Sequence, residues 1–370
     1  MHTRLSCFAL VIICCALIAA CTHPTSPAGP KFKGRLLLLA GDNPTGADLF
    51  ELSAASTGPT YNYSVVAKGV FEAAASPDQT RLLYTTKDGI LLRDLRTGAV
   101  KPLISGENYC LAWSPDGNRF SYKQRGSRTG LYVSDLDGKA KLIWEEPFAS
   151  AGTGRSSALE RAAGSSGCAH WIAPDRFVFD RFVGVPNQKK SGEALKPNTT
   201  TLATVRDPVK LVDSEMKWSI EGVCQAGGSA LIRPHDQAQP LMMARSVEHF
   251  ETVDPKPIDC SECRFVGYAA RSCVPFFIQQ TLSTSTELFS LNPTNWQRQR
   301  GTSINQTFSV TARMLINSSA RLMIVGDVPA SLLLIDTETG ETVPFFPKST
   351  QPPGSDGALL SPIPIVWIEN

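Results

Sequence analysis

The sequence predicts an all-β fold, a β-propeller, and three observations carry that prediction. The first is repetition. Phe71-EAAASPDQTRLLYTTKDGILLRDLRTGAV and Cys110-LAWSPDGNRFSYKQRGSRTGLYVSDLDGKA share one plan: a short apolar run, Ser-Pro-Asp, an apolar strand, a polar turn, an alternating strand and an Asp-led turn ending in Gly. Weaker copies begin at Cys168 (CAHWIAPDRFVFDRF) and near Phe308 (FSVTARMLINSSARLMIVGDVPASLLLIDTETGETV). Repeats of this size, built from several strands without a helical period, mark radial sheet arrays. The second is composition. Gly 28 and Pro 26 suit a chain of tight turns, and 42% hydrophobic residues over 370 positions supply a large core. The third is the C-terminus. Ala358-LLSPIPIVWIEN reads as the opening strand of a repeat with nothing after it, while the first repeat lacks that strand.

The blades follow in order. Gly34-RLLLLA, Ala47-DLFELSA and Tyr61-NYSVVA are three strands of blade one. Blade two runs from about Phe71 to Gly106 and blade three from about Glu107 to Trp144. A Gly/Ala/Ser-rich stretch, Ala149–Gly167, interrupts the pattern before blade four, Cys168 to about Trp218, which carries a polar insertion at Val185–Asn198. Blade five comprises Gly222-VCQAGGSALIRP, Pro240-LMMARSV and Phe250-ETVD. Blade six holds Cys263-RFVGYAARSCVPFFIQQ and Thr286-ELFSLNP, and blade seven spans about Thr307 to Phe346. Seven blades fit best, with six or eight open because blades five and six are degenerate. The C-terminal strand is expected to complete blade one and so remove two exposed sheet edges.

The Pro-Asp signature is turn chemistry. Pro77 and Pro115 preset φ and remove a donor that no ladder could use; Asp78 and Asp116 can then bond the backbone two residues on. Asp94, Asp135 and Asp336 open the second turns and are read as turn-formers, not as catalytic or calcium-binding groups. The repeat resembles those of TolB-type propellers and of the propeller domains of prolyl-oligopeptidase-like peptidases. That resemblance covers Gly34 to the C-terminus; it implies the propeller fold and says nothing about a ligand. TolB itself carries an additional N-terminal partner-binding domain, for which the tether expected here leaves no room.

The N-terminus supplies an address. Leu5–Ala20 is almost wholly apolar after a single positive charge, and is shorter than the ~20 residues of a spanning helix, as in a secretory signal. It ends in Leu17-Ile18-Ala19-Ala20-Cys21, which resembles the bacterial lipobox. The resemblance implies cleavage after residue 20, attachment of diacylglycerol to the Cys21 sulfur and acylation, as by palmitate, of its amine. Thr22 resembles the residue that permits outer-membrane sorting in Gram-negative lipoproteins. The expected layout is signal 1–20, lipidated tether 21–33 (polar and Pro-rich) and propeller 34–370, held at the envelope by several acyl chains.

Enzyme motifs are not evident. There is no Gly-x-Ser-x-Gly elbow, no sialidase-like Ser-x-Asp-x-Gly-x-x-Trp box and no strand–helix alternation of a hydrolase domain. His23, His170, His235 and His249 form no His-x-x-x-His or His-Glu-x-x-His pair, and His170, beside Trp171 on an inner strand, reads as a packed residue. A formal net charge of +2 without basic clusters argues against nucleic acid as a partner. No cofactor, catalytic residue or metal site is assigned.

Beyond Cys21, the exported chain keeps Cys110, Cys168, Cys224, Cys260, Cys263 and Cys273, an even number in an oxidising compartment, so disulfides are expected with their pairing open. Cys110, Cys168, Cys224 and Cys263 lie at predicted inner strands of successive blades and are expected to gather at one end of the channel. The alternatives are a zinc site on Cys260 and Cys263 with Cys224 or Cys273, and free buried thiols. The functional expectation is a non-enzymatic, membrane-anchored propeller that binds a protein, glycan or envelope polymer; the alternative is a lactonase-like or lyase-like enzyme working at the channel mouth.

Overall fold

The computed structural model describes residues 33–41, 46–54, 61–126, 128–146, 167–181, 199–207, 209–214, 218–224, 229–234, 242–244, 256–258, 263–269, 272–282, 284–293, 295–299, 301–308, 312–317, 319–327, 331–344 and 363–368. The signal, Cys21, the tether to residue 32, Cys260, His23, His235, His249 and most of the two insertions lie outside these residues.

Six of the sheets are each built from four consecutive antiparallel strands, and the first from three with one added from the end of the chain. The first sheet holds β1 (Arg35–Ala40), β2 (Ala47–Ala54) and β3 (Tyr61–Val70). The second is β4 (Glu72–Ala75), β5 (Arg81–Thr86), β6 (Gly89–Asp94) and β7 (Val100–Ser105). The third is β8 (Asn108–Trp113), β9 (Arg119–Gln124), β10 (Gly130–Asp135) and β11 (Ala140–Glu145). The fourth is β12 (His170–Ala173), β13 (Arg176–Arg181), β14 (Thr199–Thr204) and β15 (Lys210–Ser214). The fifth is β16 (Trp218–Cys224), β17 (Ser229–Pro234), β18 (Met242–Ala244) and β19 (Lys256–Pro257). The sixth is β20 (Cys263–Tyr268), β21 (Pro275–Leu282), β22 (Ser285–Ser290) and β23 (Thr302–Ile304). The seventh is β24 (Arg313–Ile316), β25 (Leu322–Asp327), β26 (Ser331–Asp336) and β27 (Thr342–Pro344), followed by the final strand β28 (Ile363–Ile368).

Among the described residues these strands make seven four-stranded antiparallel sheets, and β28 joins the first of them beside β1. The pairing sets Trp367 against Leu36 and Val366 against Leu37. The ends of the chain therefore complete one blade between them. The inner strands touch in the order β28, β4, β8, β12, β16, β20, β24 and back to β28, a closed β-propeller. Two boundaries differ from the sequence expectation. Trp218 opens the fifth sheet instead of ending the fourth, and the fifth sheet's outermost described strand is Lys256–Pro257, the run at Phe250 lying outside the described residues. Both lie where the Ser-Pro-Asp punctuation is missing.

Burial on both faces explains the continuous apolar run of β1. Leu36 and Leu38 pack with Ile324, Leu332 and Leu334 of the seventh sheet, whereas Leu37 and Leu39 pack with Leu82 and Tyr84 of the second. Successive side chains of a strand point to opposite faces, so a sheet sandwiched between two others needs apolar residues at every position. All four leucines are at most 5% exposed, and each contributes about 2 kcal/mol on full burial.

All inner strands run the same way, so each ends on one face of the ring, where its Ser-Pro-Asp turn or equivalent lies. Antiparallel return brings the Asp94, Asp135 and Asp336 turns back to this same face. The turns behave as the sequence predicts. Ser114 Oγ accepts the Arg119 N–H at 2.9 Å and is 2.6 Å from Asp116 Oδ1, and the Ser76 turn repeats the pattern. Asp94 Oδ1 accepts the N–H groups of Arg96 and Thr97 at 2.9 and 2.7 Å. These second turns also join neighbours: Lys101 Nζ donates to Leu136 O at 3.0 Å and Thr302 Oγ1 to Thr337 O at 2.8 Å.

Candidate functional site: the channel mouth

On the Ser-Pro-Asp face the inner strands of sheets two to five surround a cavity of about 330 Å³. The walls are short side chains, Ala74, Ala75, Ala112 and Ala169, with Pro77 and Val223 at the margin. Trp113, Trp171 and His170 supply its larger groups. The alanines leave room for the cavity because the inner strands converge on the axis, where bulky side chains would fill it.

The two tryptophans are fixed by their neighbours. Trp113 Nε1 donates to Ala74 O of the preceding inner strand at 2.8 Å, and Trp171 Nε1 donates to Ser121 Oγ on β9 at 3.0 Å. Both rings are buried, at 5% and 2% exposure. Trp367 uses the same device, donating to Lys33 O at 2.8 Å. The Trp113 and Trp171 bonds join neighbouring blades and the Trp367 bond ties the two chain ends within the first blade; each satisfies a buried donor, and the first two fix the cavity wall.

His170 pairs with Val178 in the sheet and is half-buried at the cavity wall. Burial lowers its pKa below the ordinary imidazole value, against a partial upward pull from the Glu221 carboxylate. The ring is therefore neutral at pH 7 and presents one N–H donor and one acceptor nitrogen. Glu221 itself is held by Arg233 Nε at 2.7 Å.

Glu72, the one charged residue of β4, has a structural task. Its carboxylate accepts the Leu111 N–H at 3.1 Å and also bonds the Cys110 N–H. Burial raises its pKa, and those two bonds oppose the rise. They meet a break in the β8–β9 register between Tyr109 and Ala112, where Cys110 adopts φ of 60°. A left-handed non-glycine residue costs roughly 1–2 kcal/mol and needs such support.

The cysteines form two cross-blade bonds. Cys110 is joined to Cys168 (Cα–Cα 5.2 Å), linking sheets three and four, and Cys224 is joined to Cys273 (5.5 Å), linking sheets five and six. Cys263 is also disulfide-bonded, and Cys260, its nearest cysteine in sequence, lies outside the described residues. The expected gathering at one channel end is corrected. Cys110, Cys168 and Cys263 lie at or toward the beginnings of their inner strands, but Cys224 ends β16 on the opposite face, beside Cys273 in the turn after β20. Inner strands cross the whole ring, so membership of such a strand does not fix an end. The zinc alternative loses Cys224 and Cys273, which bind each other. No cluster of three or more metal-ligating side chains occurs among the described residues.

No family model and no curated protein matches the chain. Solved structures do. An uncharacterized protein from Listeria monocytogenes aligns with a TM-score of 0.53 and 11% identity, covering 88% of this chain and 98% of that one. The β-propeller domain of the Trilobed protease from Pyrococcus furiosus, reported with an open velcro topology, gives 0.51 and 13%, covering 88% and 98%. An oligogalacturonate lyase in complex with manganese gives 0.50 and 14%, covering 85% of each chain. At these identities the likeness shows the fold alone. The chain shares the β-propeller fold, and its own ring is closed by β28.

Proposed function

We propose that this protein is a lipid-anchored binding module of the bacterial envelope, a non-enzymatic propeller that presents its channel mouth to a protein, glycan or envelope polymer. The observation that carries the reading is the use of the polar groups around the mouth. Glu72 is engaged by backbone N–H groups, Trp113 and Trp171 by a carbonyl and a hydroxyl, and Glu221 by Arg233. These bonds make a fixed surface and leave His170 as the cavity's titratable side chain among the described residues. Acid–base or metal-assisted chemistry draws on several converging groups, so this lining favours recognition over turnover.

The run ending in Ile18-Ala19-Ala20-Cys21 supports the anchor, with 21–33 as the tether and the outer membrane as its destination through Thr22. Lys33, bonded by Trp367, meets the ring on the face that holds the cavity. An anchor at Cys21 would keep that face within a short reach of the bilayer. Photo-crosslinking in intact cells tests the reading. A crosslinker at Asp116, on the cavity face, is expected to trap an envelope partner, while one at Lys87, on the far face, is not. Absence of any adduct at Asp116, together with turnover of a lactone or polyuronate, would overturn it.

A further inference from the structure

We infer that the occupant of the channel-mouth cavity is an uncharged peptide segment with small side chains, bound in extended form. The inference rests on the binding-module reading and names its ligand class. Three observations select that chemistry.

The first is charge. Among the described residues the lining is alanine, valine, proline and two indoles, with an imidazole that burial keeps neutral as its titratable side chain. No charged side chain among the described lining residues would balance a carboxylate, phosphate or ammonium brought out of water, and an unpaired buried charge is strongly disfavoured.

The second is the supply of hydrogen bonds. A sugar carries several hydroxyls and needs several side chains placed to meet them, whereas among the described lining residues His170 is the polar side chain with bonding capacity to spare, both indole N–H groups being engaged. The backbone is the richer source. β4, β8, β12 and β16 each end their sheet, so each pairs on one side and turns its other edge toward the channel. Neighbouring side chains already exploit that edge: Trp113 takes the Ala74 carbonyl and Glu72 takes the Leu111 N–H. Peptide amides are complementary to such an edge, in the manner of strand addition.

The third is reach and size. Alanine at 74, 75, 112 and 169 allows a ligand backbone to approach these strands, which larger residues would prevent. A cavity of about 330 Å³ accommodates two or three small residues, not a folded domain.

The test uses the mature, disulfide-bonded protein with ¹⁵N-labelled tryptophan, in which the Trp113 and Trp171 indole signals report the cavity and the Trp144 and Trp367 signals serve as internal controls. Three probes are titrated: N-acetyl-trialanine amide, the same peptide with a free C-terminal carboxylate, and a neutral oligosaccharide. The neutral peptide is expected to shift the Trp113 and Trp171 signals saturably, with at least tenfold weaker binding for the carboxylate form. His170→Asn is expected to weaken the neutral peptide several-fold, and Ala112→Leu, which fills the cavity, to abolish it. Control signals unchanged in each variant establish folding. Saturation by the saccharide without response to the peptide overturns the peptide assignment and keeps the binding module. Silence in all three arms overturns both.

Discussion

Glu72 on β4 and Leu111 on β8 belong to neighbouring blades and lie 39 residues apart, yet the carboxylate of one accepts the backbone N–H of the other at 3.1 Å. This contact holds the β8 bulge in which Cys110 turns left-handed, and Cys110 in turn is bonded to Cys168 of the next blade. Three blades are coupled through one carboxylate.

Glu72→Ala should therefore cost about 1–3 kcal/mol, because it leaves buried N–H groups without an acceptor. Glu72→Gln keeps an acceptor and should cost less. The pH dependence separates charge from bonding. The folded-state pKa of Glu72 is raised, so between the ordinary carboxylate value and that raised value the native protein binds more protons than the unfolded chain. The residue's contribution to stability falls as pH rises through this window. Chemical denaturation should show Glu72→Gln gaining on wild type from pH 4.5 to 7; a constant gap would contradict the assignment.

Asp336 works in the opposite direction. It is 7% exposed; burial would raise its pKa, but the N–H groups of Thr339 and Glu338 and the Arg321 guanidinium outweigh this and hold it below the usual value. Its contribution is complete above the unfolded pKa and is lost as pH falls through the folded one. Asp336→Asn should destabilise by roughly 1–2 kcal/mol at pH 7 and progressively less toward pH 3, as read by melting at each pH.

Ser114 is fully buried, and its hydroxyl bonds the backbone of Arg119 and the Asp116 carboxylate. Ser114→Ala should cost about 1–3 kcal/mol by stranding those groups, and Ser76→Ala a similar amount. Equal melting temperatures for wild type and both variants would show that the Ser-Pro-Asp turn does not depend on its serine.

Ring closure and the staples make separable contributions. Trp367 is 5% exposed and bonded to Lys33, so removal of residues 358–370 should lower the melting temperature strongly, and Trp367→Ala alone should cost about 3–5 kcal/mol. The Cys110–Cys168 bond spans 58 residues, a separation for which chain entropy predicts a gain of about 4 kcal/mol. Reduction should soften the protein without unfolding it, since sheet packing persists. Denatured, unreduced protein should show no free thiol at Cys110, Cys168, Cys224 or Cys273 by alkylation mapping; labelling there would contradict the pairing.

The fold was legible in the sequence where turns carry strong local chemistry. Ser76-Pro77-Asp78 and Ser114-Pro115-Asp116 announce their blades, and the orphan strand ending in Trp367 announces closure. The fifth sheet was read less well because β18 and β19 are only three and two residues long and carry no Pro-Asp turn. At the channel mouth, His170 and the cysteines stood out as residue types, but their partners did not. Disulfide pairing depends on the bulge at Cys110 and on a turn at Cys273, where φ is 54°, and neither left-handed cysteine has a sequence signature. Glu72 passed unnoticed. A lone carboxylate at the head of the otherwise alanine strand Glu72–Ala75 was the available signal.

The central claim, a propeller held to the envelope by lipid, is tested most directly by metabolic labelling with an alkyne analogue of palmitate. The account predicts that the full-length protein takes up label in the membrane fraction and that Cys21→Ala abolishes it while the propeller still folds. Label retained in Cys21→Ala, or a wild-type protein that stays unlabelled, would contradict it.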